Sequence, residues 1–83
     1  MERVVESGKR LNITATNASL SDGFLMGIFV SQTSGTIKVE DGKGVIANTF
    51  SPIAGTFYPL PCQYLGTLTV TISGTVDATV FYN

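Results

Sequence analysis

The chain has 83 residues, a formal net charge of −1 and no basic patch, which argues against nucleic acid and membrane surfaces as partners. A chain of this length forms one small domain, and such a domain buries only about 60–65% of the surface that its unfolded chain exposes. With one cysteine and no histidine, it lacks an intrachain disulfide and the usual zinc ligands. Oligomerisation is therefore the expected supplement to a marginal core.

Charged residues are few and unevenly placed. They make up 13% of the chain, against ~25% in ordinary soluble domains. Ten of the eleven lie between Glu2 and Lys43, and Asp77 is the only one in the last forty residues. Because a soluble monomer usually spreads charge over its surface, this distribution predicts that much of the C-terminal half faces other subunits.

The first ten residues, MERVVESGKR, contain no apolar stretch of the length that a secretory signal needs. We therefore expect a protein made in the cytoplasm. Residues 1–10 are interpreted as a charged arm or edge segment, and residues 11–83 as a single domain.

The remaining chain predicts strands and no helix, because no apolar spacing of three and four persists while threonine, valine and glycine abound. Alternation or apolar runs place the strands at 11–16, 24–30, 36–40, 45–50, 67–73 and 76–82. Turns are predicted at Ser19 to Gly23, at Asp41-Gly42 and at Gly74-Thr75, the last closing the clearest hairpin. The proline-rich segment Ser51 to Pro61 is interpreted as a crossing loop with a short extended piece that links two sheets, and not as a central strand. Six to eight short strands in this order predict an all-β fold, a small antiparallel β-sandwich or jelly-roll-like barrel.

Candidate chemical groups are few. Without histidine, Cys62 has no imidazole base to activate it and is predicted to be a small buried thiol. Glu40 and Asp41 are adjacent acids, but neighbours on a strand point to opposite faces, so a solvated turn is the expected role. We predict a protein that is not an enzyme and that has no catalytic residue, cofactor or metal ion.

Uncharged strand faces are the candidate binding surfaces. Phe24 to Val30 is apolar on both faces, which is typical of a central or interface strand. Thr67, Thr69 and Thr71 alternate with core positions, and lysine or glutamate, which normally guard an exposed strand, are absent there. The predicted interface residues are Leu25, Phe29, Phe50, Phe57, Tyr58, Leu60, Thr67, Thr69 and Thr71.

The C-terminal three-fifths of the chain carries a family resemblance. Its parts are the Asp41-Gly42 turn, the run FYPLP over 57–61, the threonine-rich strand, Ser73-Gly74-Thr75 and the closing ATVFY over 78–82. Together, residues 34–83 resemble small tailed-phage virion proteins of the head-decoration, vertex or spike-base kind.

The resemblance implies a β-sandwich that assembles, often as a trimer, and docks on a larger virion protein such as the major capsid protein or a tail component. The expected location is then the virion. The alternative function is a carbohydrate-binding or host-attachment module that stacks Tyr58, Tyr64 and Tyr82 on sugar rings.

Overall fold

Six antiparallel strands make one sheet in the computed structural model, which describes residues 8–83. The strands are β1 (Lys9–Ile13), β2 (Asn17–Thr33), β3 (Thr36–Asp41), β4 (Gly44–Phe50), β5 (Thr56–Ser73) and β6 (Val76–Tyr82). Their spatial order is β1-β6-β2-β5-β3-β4. This confirms the all-β prediction. Lys9 and Arg10, which were predicted to belong to an arm or edge segment, lie in the edge strand β1, while residues 1–7 of that segment lie outside the described residues.

Two long bent strands give the sheet its shape. Residues 17–21 of β2 pair with 67–70 of β5, whereas the second part of β2 pairs with the first part of β5 and with β6. The bends lie at Asp22, with φ of 52°, and at Gly66, with φ of 72°. The Gly66 N–H donates to the Asp22 carboxylate at 2.8 Å, which ties the two bends together.

The bends divide the sheet into two layers. The first, named the patch layer for the apolar patch on its outer side, comprises β1, β6, residues 25–33 of β2 and 56–62 of β5. The threonine layer comprises β3, β4, residues 17–21 of β2 and 67–73 of β5. One apolar cluster lies between them, as in a small β-sandwich. Its buried residues are Ile13, Leu25, Ile28, Val30, Ile37, Val39, Tyr64, Leu68, Val70, Val76, Ala78 and Val80.

The predicted turn at Ser19 to Gly23 is wrong. β2 runs through this segment, and a register shift between Ser21 and Gly23 accommodates the positive φ of Asp22. Serine, aspartate and glycine here form a bulge inside a long strand, which bends the strand without ending it.

The segment Ser51 to Pro61 contains an extended piece as predicted, but this piece is the start of the long strand β5, which begins at Thr56. Pro59 and Pro61 lie within this strand. The first part of β5 pairs with β2 alone within residues 8–83, so one edge is unpaired and tolerates residues that have no N–H.

The predicted hairpin at Gly74-Thr75 is wrong as a pairing, although the turn is present. β6 pairs with β1 and β2, and the end of β5 pairs with β3. The chain crosses between layers here, beside the similar crossing at Ser34-Gly35. The Ser34 N–H donates to the Thr75 carbonyl at 2.7 Å, so the two crossings form one corner of the fold.

Candidate functional site

An exposed apolar cluster covers the outer side of the patch layer. We name it the aromatic patch, and its members are Met26, Phe29, Phe57 and Phe81. They line a shallow depression of about 420 Å³. Met26 is 44%, Phe29 36% and Phe57 45% exposed. The Phe57 and Phe81 rings meet edge to face, with centroids 6.0 Å apart, so the patch is a packed surface that remains open to solvent.

The alternation along β2 and a register shift within it direct the side chains of Met26 and Phe29 to solvent. Ile28 and Val30 point to the core, and a register shift between Leu25 and Gly27 directs Met26 and Phe29 outward. A side chain at Gly27 would collide with the Phe57 ring and with the Tyr58 carbonyl oxygen. Glycine therefore allows the Phe57 ring to lie across the β2 backbone.

The aromatic patch has no charge on its central strands, since residues 24–33 and 56–63 contain neither acids nor bases. Within residues 8–83, charged positions flank this face on β1 and β6. Arg10 lies opposite Phe81 in the register of β1 with β6. Asp77 accepts a hydrogen bond from the Asn12 side chain at 2.9 Å. Such a surface is suited to covering by another protein.

Of the predicted interface residues, the structure brings Phe29 and Phe57 together as an opposing pair in the patch. Leu25 has no exposed surface, so we remove it from the candidate interface. Phe50, Tyr58 and Leu60 are half-buried against the core. The Phe50 and Tyr58 rings pack 5.1 Å apart.

The predicted threonine face lies on the other layer. Thr67 is exposed, while Thr69 and Thr71 are half-buried. Thr69 lies opposite Glu40 and Thr71 opposite Lys38, and these two charged side chains approach to 3.7 Å. The neighbouring strand thus supplies the charge that the threonine strand lacks, which makes this face the more hydrated of the two.

Comparisons with protein-family models, curated proteins and solved structures find no match to this chain. Its functional surfaces are therefore inferred from its own residues. Met26 and Phe81 are patch members that sequence reasoning missed. The available signal was the apolar character of both faces around Met26, which indicates that one face remains to be covered.

A second concavity, which we name the edge cleft, lies between β4 and the first part of β5. It measures about 620 Å³. Leu60, Cys62 and Leu65 line one side, and Val45 and Ile46 line the other. The Cys62 thiol is half-buried, and it donates to the Gln63 carbonyl at 3.3 Å.

Within residues 8–83 there is no cluster of three or more acidic, cysteine or histidine residues that could hold a metal ion.

The three tyrosines present little ring surface. Tyr64 is 2% exposed, and burial, with smaller contributions from Tyr82 and Asp22, raises the pKa of its hydroxyl. Tyr58 and Tyr82 are half-buried, and the Tyr58 hydroxyl accepts the Ile53 N–H at 2.8 Å.

Along the part of the chain that the structure describes, no helix is long and apolar enough to cross a membrane.

Asp41 fixes the end of the edge cleft. Its carboxylate accepts the Leu65 N–H at 2.9 Å, the Lys43 N–H at 2.9 Å and the Gly44 N–H at 3.1 Å. The hydrogen bond from Leu65, with those from the turn, lowers the pKa of Asp41 below its ordinary value of 3.8. The β3–β4 turn is thereby held against the bend of β5.

We expect Asp41→Asn to lower the melting temperature at neutral pH and to lose this effect in acid. A carboxyl whose folded pKa is depressed stabilises the fold above its unfolded pKa of about 3.9, and this contribution disappears as the pH falls through the folded pKa. Melting curves from pH 7 to pH 2 should show parent and variant converging below about pH 4. A constant difference over that range would contradict this role of the Asp41 charge.

Proposed function

We propose that the protein is a non-enzymatic structural subunit that self-associates and docks on a larger protein. The observation that carries the proposal is the uncharged aromatic patch on the outer face of the patch layer. The resemblance of residues 34–83 to small phage virion proteins supports a place in a virion, on the capsid or tail surface, as a homo-oligomer such as a trimer.

Burial of the patch would supply the free energy for association. Covering one apolar side chain of this size is worth about 1.5–3 kcal/mol when it is fully exposed beforehand. Met26, Phe29 and Phe57 are each about two-fifths exposed, so covering each of them contributes a fraction of that value. Repetition of such a contact around a ring or lattice multiplies a modest gain.

The first test places lysine in the patch. We expect Phe57→Lys and Met26→Lys to lower the mass of the assembled species, since assembly would then bury an unpaired ammonium group at a cost of several kcal/mol. The control is Thr69→Lys, which adds the same charge on the opposite layer beside Glu40. Light scattering after gel filtration measures the mass, and circular dichroism confirms that each variant is folded.

Retention of the parent's mass by both folded patch variants would contradict the proposal. A parent mass of 8.8 kDa, one chain, at all concentrations would contradict its self-association part. A control that dissociates like the patch variants would move the contact surface to the threonine layer, where Thr67, Thr69 and Thr71 were first predicted to form it.

A further inference from the structure

The pairing register arranges the patch layer in rows that run across its strands. The central row is, from β1 to β5, Asn12, Thr79, Phe29 and Phe57. Two residues along the strands lies a second row, Arg10, Phe81, Gly27 and Pro59. Two residues the other way, Asp77 lies opposite Gln32. The central row therefore has a base on one side and an acid on the other.

Arg10 and Asp77 both lie on the outer side of this layer. Val76 and Ala78 are buried on β6, so Asp77 between them points outward. The Asn12 side chain donates to the Asp77 carboxylate at 2.9 Å, which places Asn12 on the same side. Arg10 precedes Asn12 by two residues on β1, shares its face and is exposed.

We propose that the aromatic patch packs face to face against the patch of a second copy, around a two-fold axis along the central row. This inference deepens the proposed self-association and rests on it. Rotation about the axis sets Phe29 and Phe57 against their own copies at the centre of the contact. It also exchanges the two flanking rows, which brings Arg10 of each copy beside the partner's Asp77. The unit is a dimer, whereas the trimer rests on the resemblance alone.

The two charged side chains reach one another in this arrangement. Facing sheets pack about 10 Å apart, and Arg10 is offset from the partner's Asp77 by one strand, about 4.8 Å. The long arginine side chain and the aspartate together span this separation. The hydrogen bond from Asn12 draws the Asp77 carboxylate toward β1, over which the partner's Arg10 lies. Two ion pairs form, one on each side of the apolar centre.

Charge selects this axis over the other face-to-face arrangement. An axis parallel to the strands keeps each row over the same row of the partner. Arg10 then faces the row of Phe81 and Pro59, Asp77 faces the row of Gln32, and neither meets an opposite charge. An axis across the strands reverses the order of the rows and pairs both charges. Because a charge buried without a partner is costly, the second arrangement is favoured.

Charge reversal tests the pairing between copies. Arg10→Glu and Asp77→Arg each set like charges together at both contacts of a dimer, so we expect either variant alone to associate at least about tenfold more weakly than the parent. In an equimolar mixture, a dimer with one chain of each variant has opposite charges at both contacts, and association recovers. Mixing cannot repair a contact that lies within one chain. The matched control is Lys9→Glu, which makes the same change of charge at the neighbouring residue, on the other side of β1.

Light scattering measures the mass at a concentration where the parent is assembled, and circular dichroism confirms folding. We expect about twice 8.8 kDa for the parent, the control and the mixture, and 8.8 kDa, the mass of one chain, for either reversed variant alone.

Three results would overturn the face-to-face pairing while leaving the patch proposal to its own test with Phe57→Lys. They are a mixture that stays dissociated, reversed variants that keep the parent's mass, and a parent of three chains. A parent of one chain at every concentration would instead contradict the proposed self-association, and the pairing with it.

Discussion

Leu68→Lys is expected to abolish folding, whereas Thr69→Lys, one residue further along β5, leaves a folded protein. Leu68 is 1% exposed in the cluster between the layers, and a lysine ammonium there would be buried without a partner. The cost is several kcal/mol, against a total stability of roughly 4–12 kcal/mol for a domain of this size. At position 69 the side chain faces outward beside Glu40 and can reach water.

Circular dichroism and thermal melting compare the two variants directly. The expected result is an unfolded spectrum for Leu68→Lys and a cooperative transition for Thr69→Lys. A parent-like melting curve for Leu68→Lys would mean that the alternation along β5 is inverted, with the threonines facing the core.

Gly35→Ala is expected to produce the other large loss of stability, although it adds only one methyl group. A β-carbon at Gly35 would overlap the Ser73 carbonyl oxygen and approach the Gly74 α-carbon to 3.0 Å. Both are backbone atoms at the corner where the chain crosses between the layers twice. They cannot rotate away as a side chain can, so the two crossings must separate.

Overpacking of this kind costs about 1–3 kcal/mol, or more where the backbone must move. Each kcal/mol lowers the melting temperature of a domain of this size by about 4–8 °C. Gly8→Ala is the matched control, because a β-carbon at Gly8 has no atom within 4 Å. Equal melting temperatures for the two variants would show that the corner is looser than the structure indicates.

Alternation predicted the core strands well. The side chains that point inward follow the period of two that alternation requires. They are Ile37 and Val39 on β3, Leu68 and Val70 on β5, and Val76, Ala78 and Val80 on β6. Which strands pair with one another could not be predicted from alternation. A glycine turn after Ser73 indicates that the chain reverses or crosses, but it does not specify which strand receives β6.

Bulges and unpaired edges explain the missed boundaries. Asp22 lies in a sequence typical of a turn, yet its positive φ bends β2 without ending it. Pro59 is compatible with a strand because, among the residues that the structure describes, the first part of β5 is paired on one side only, and edges follow from the whole sheet order. Of the aromatic patch, only Phe29 and Phe57 were predicted. The exposure of Met26 depends on the register shift between Leu25 and Gly27, which the sequence pattern does not specify.

The most direct test of the central claim, that the aromatic patch is covered in the assembled protein, is the solvent exposure of the Met26 methyl group. The side chain is 44% exposed in the single chain. Methyl NMR in the presence of a soluble paramagnetic agent measures this exposure over a dilution series. We predict that the Met26 signal is protected at concentrations where the protein is assembled and becomes broadened by the agent on dilution. Equal broadening in the assembled and dissociated protein would contradict the account.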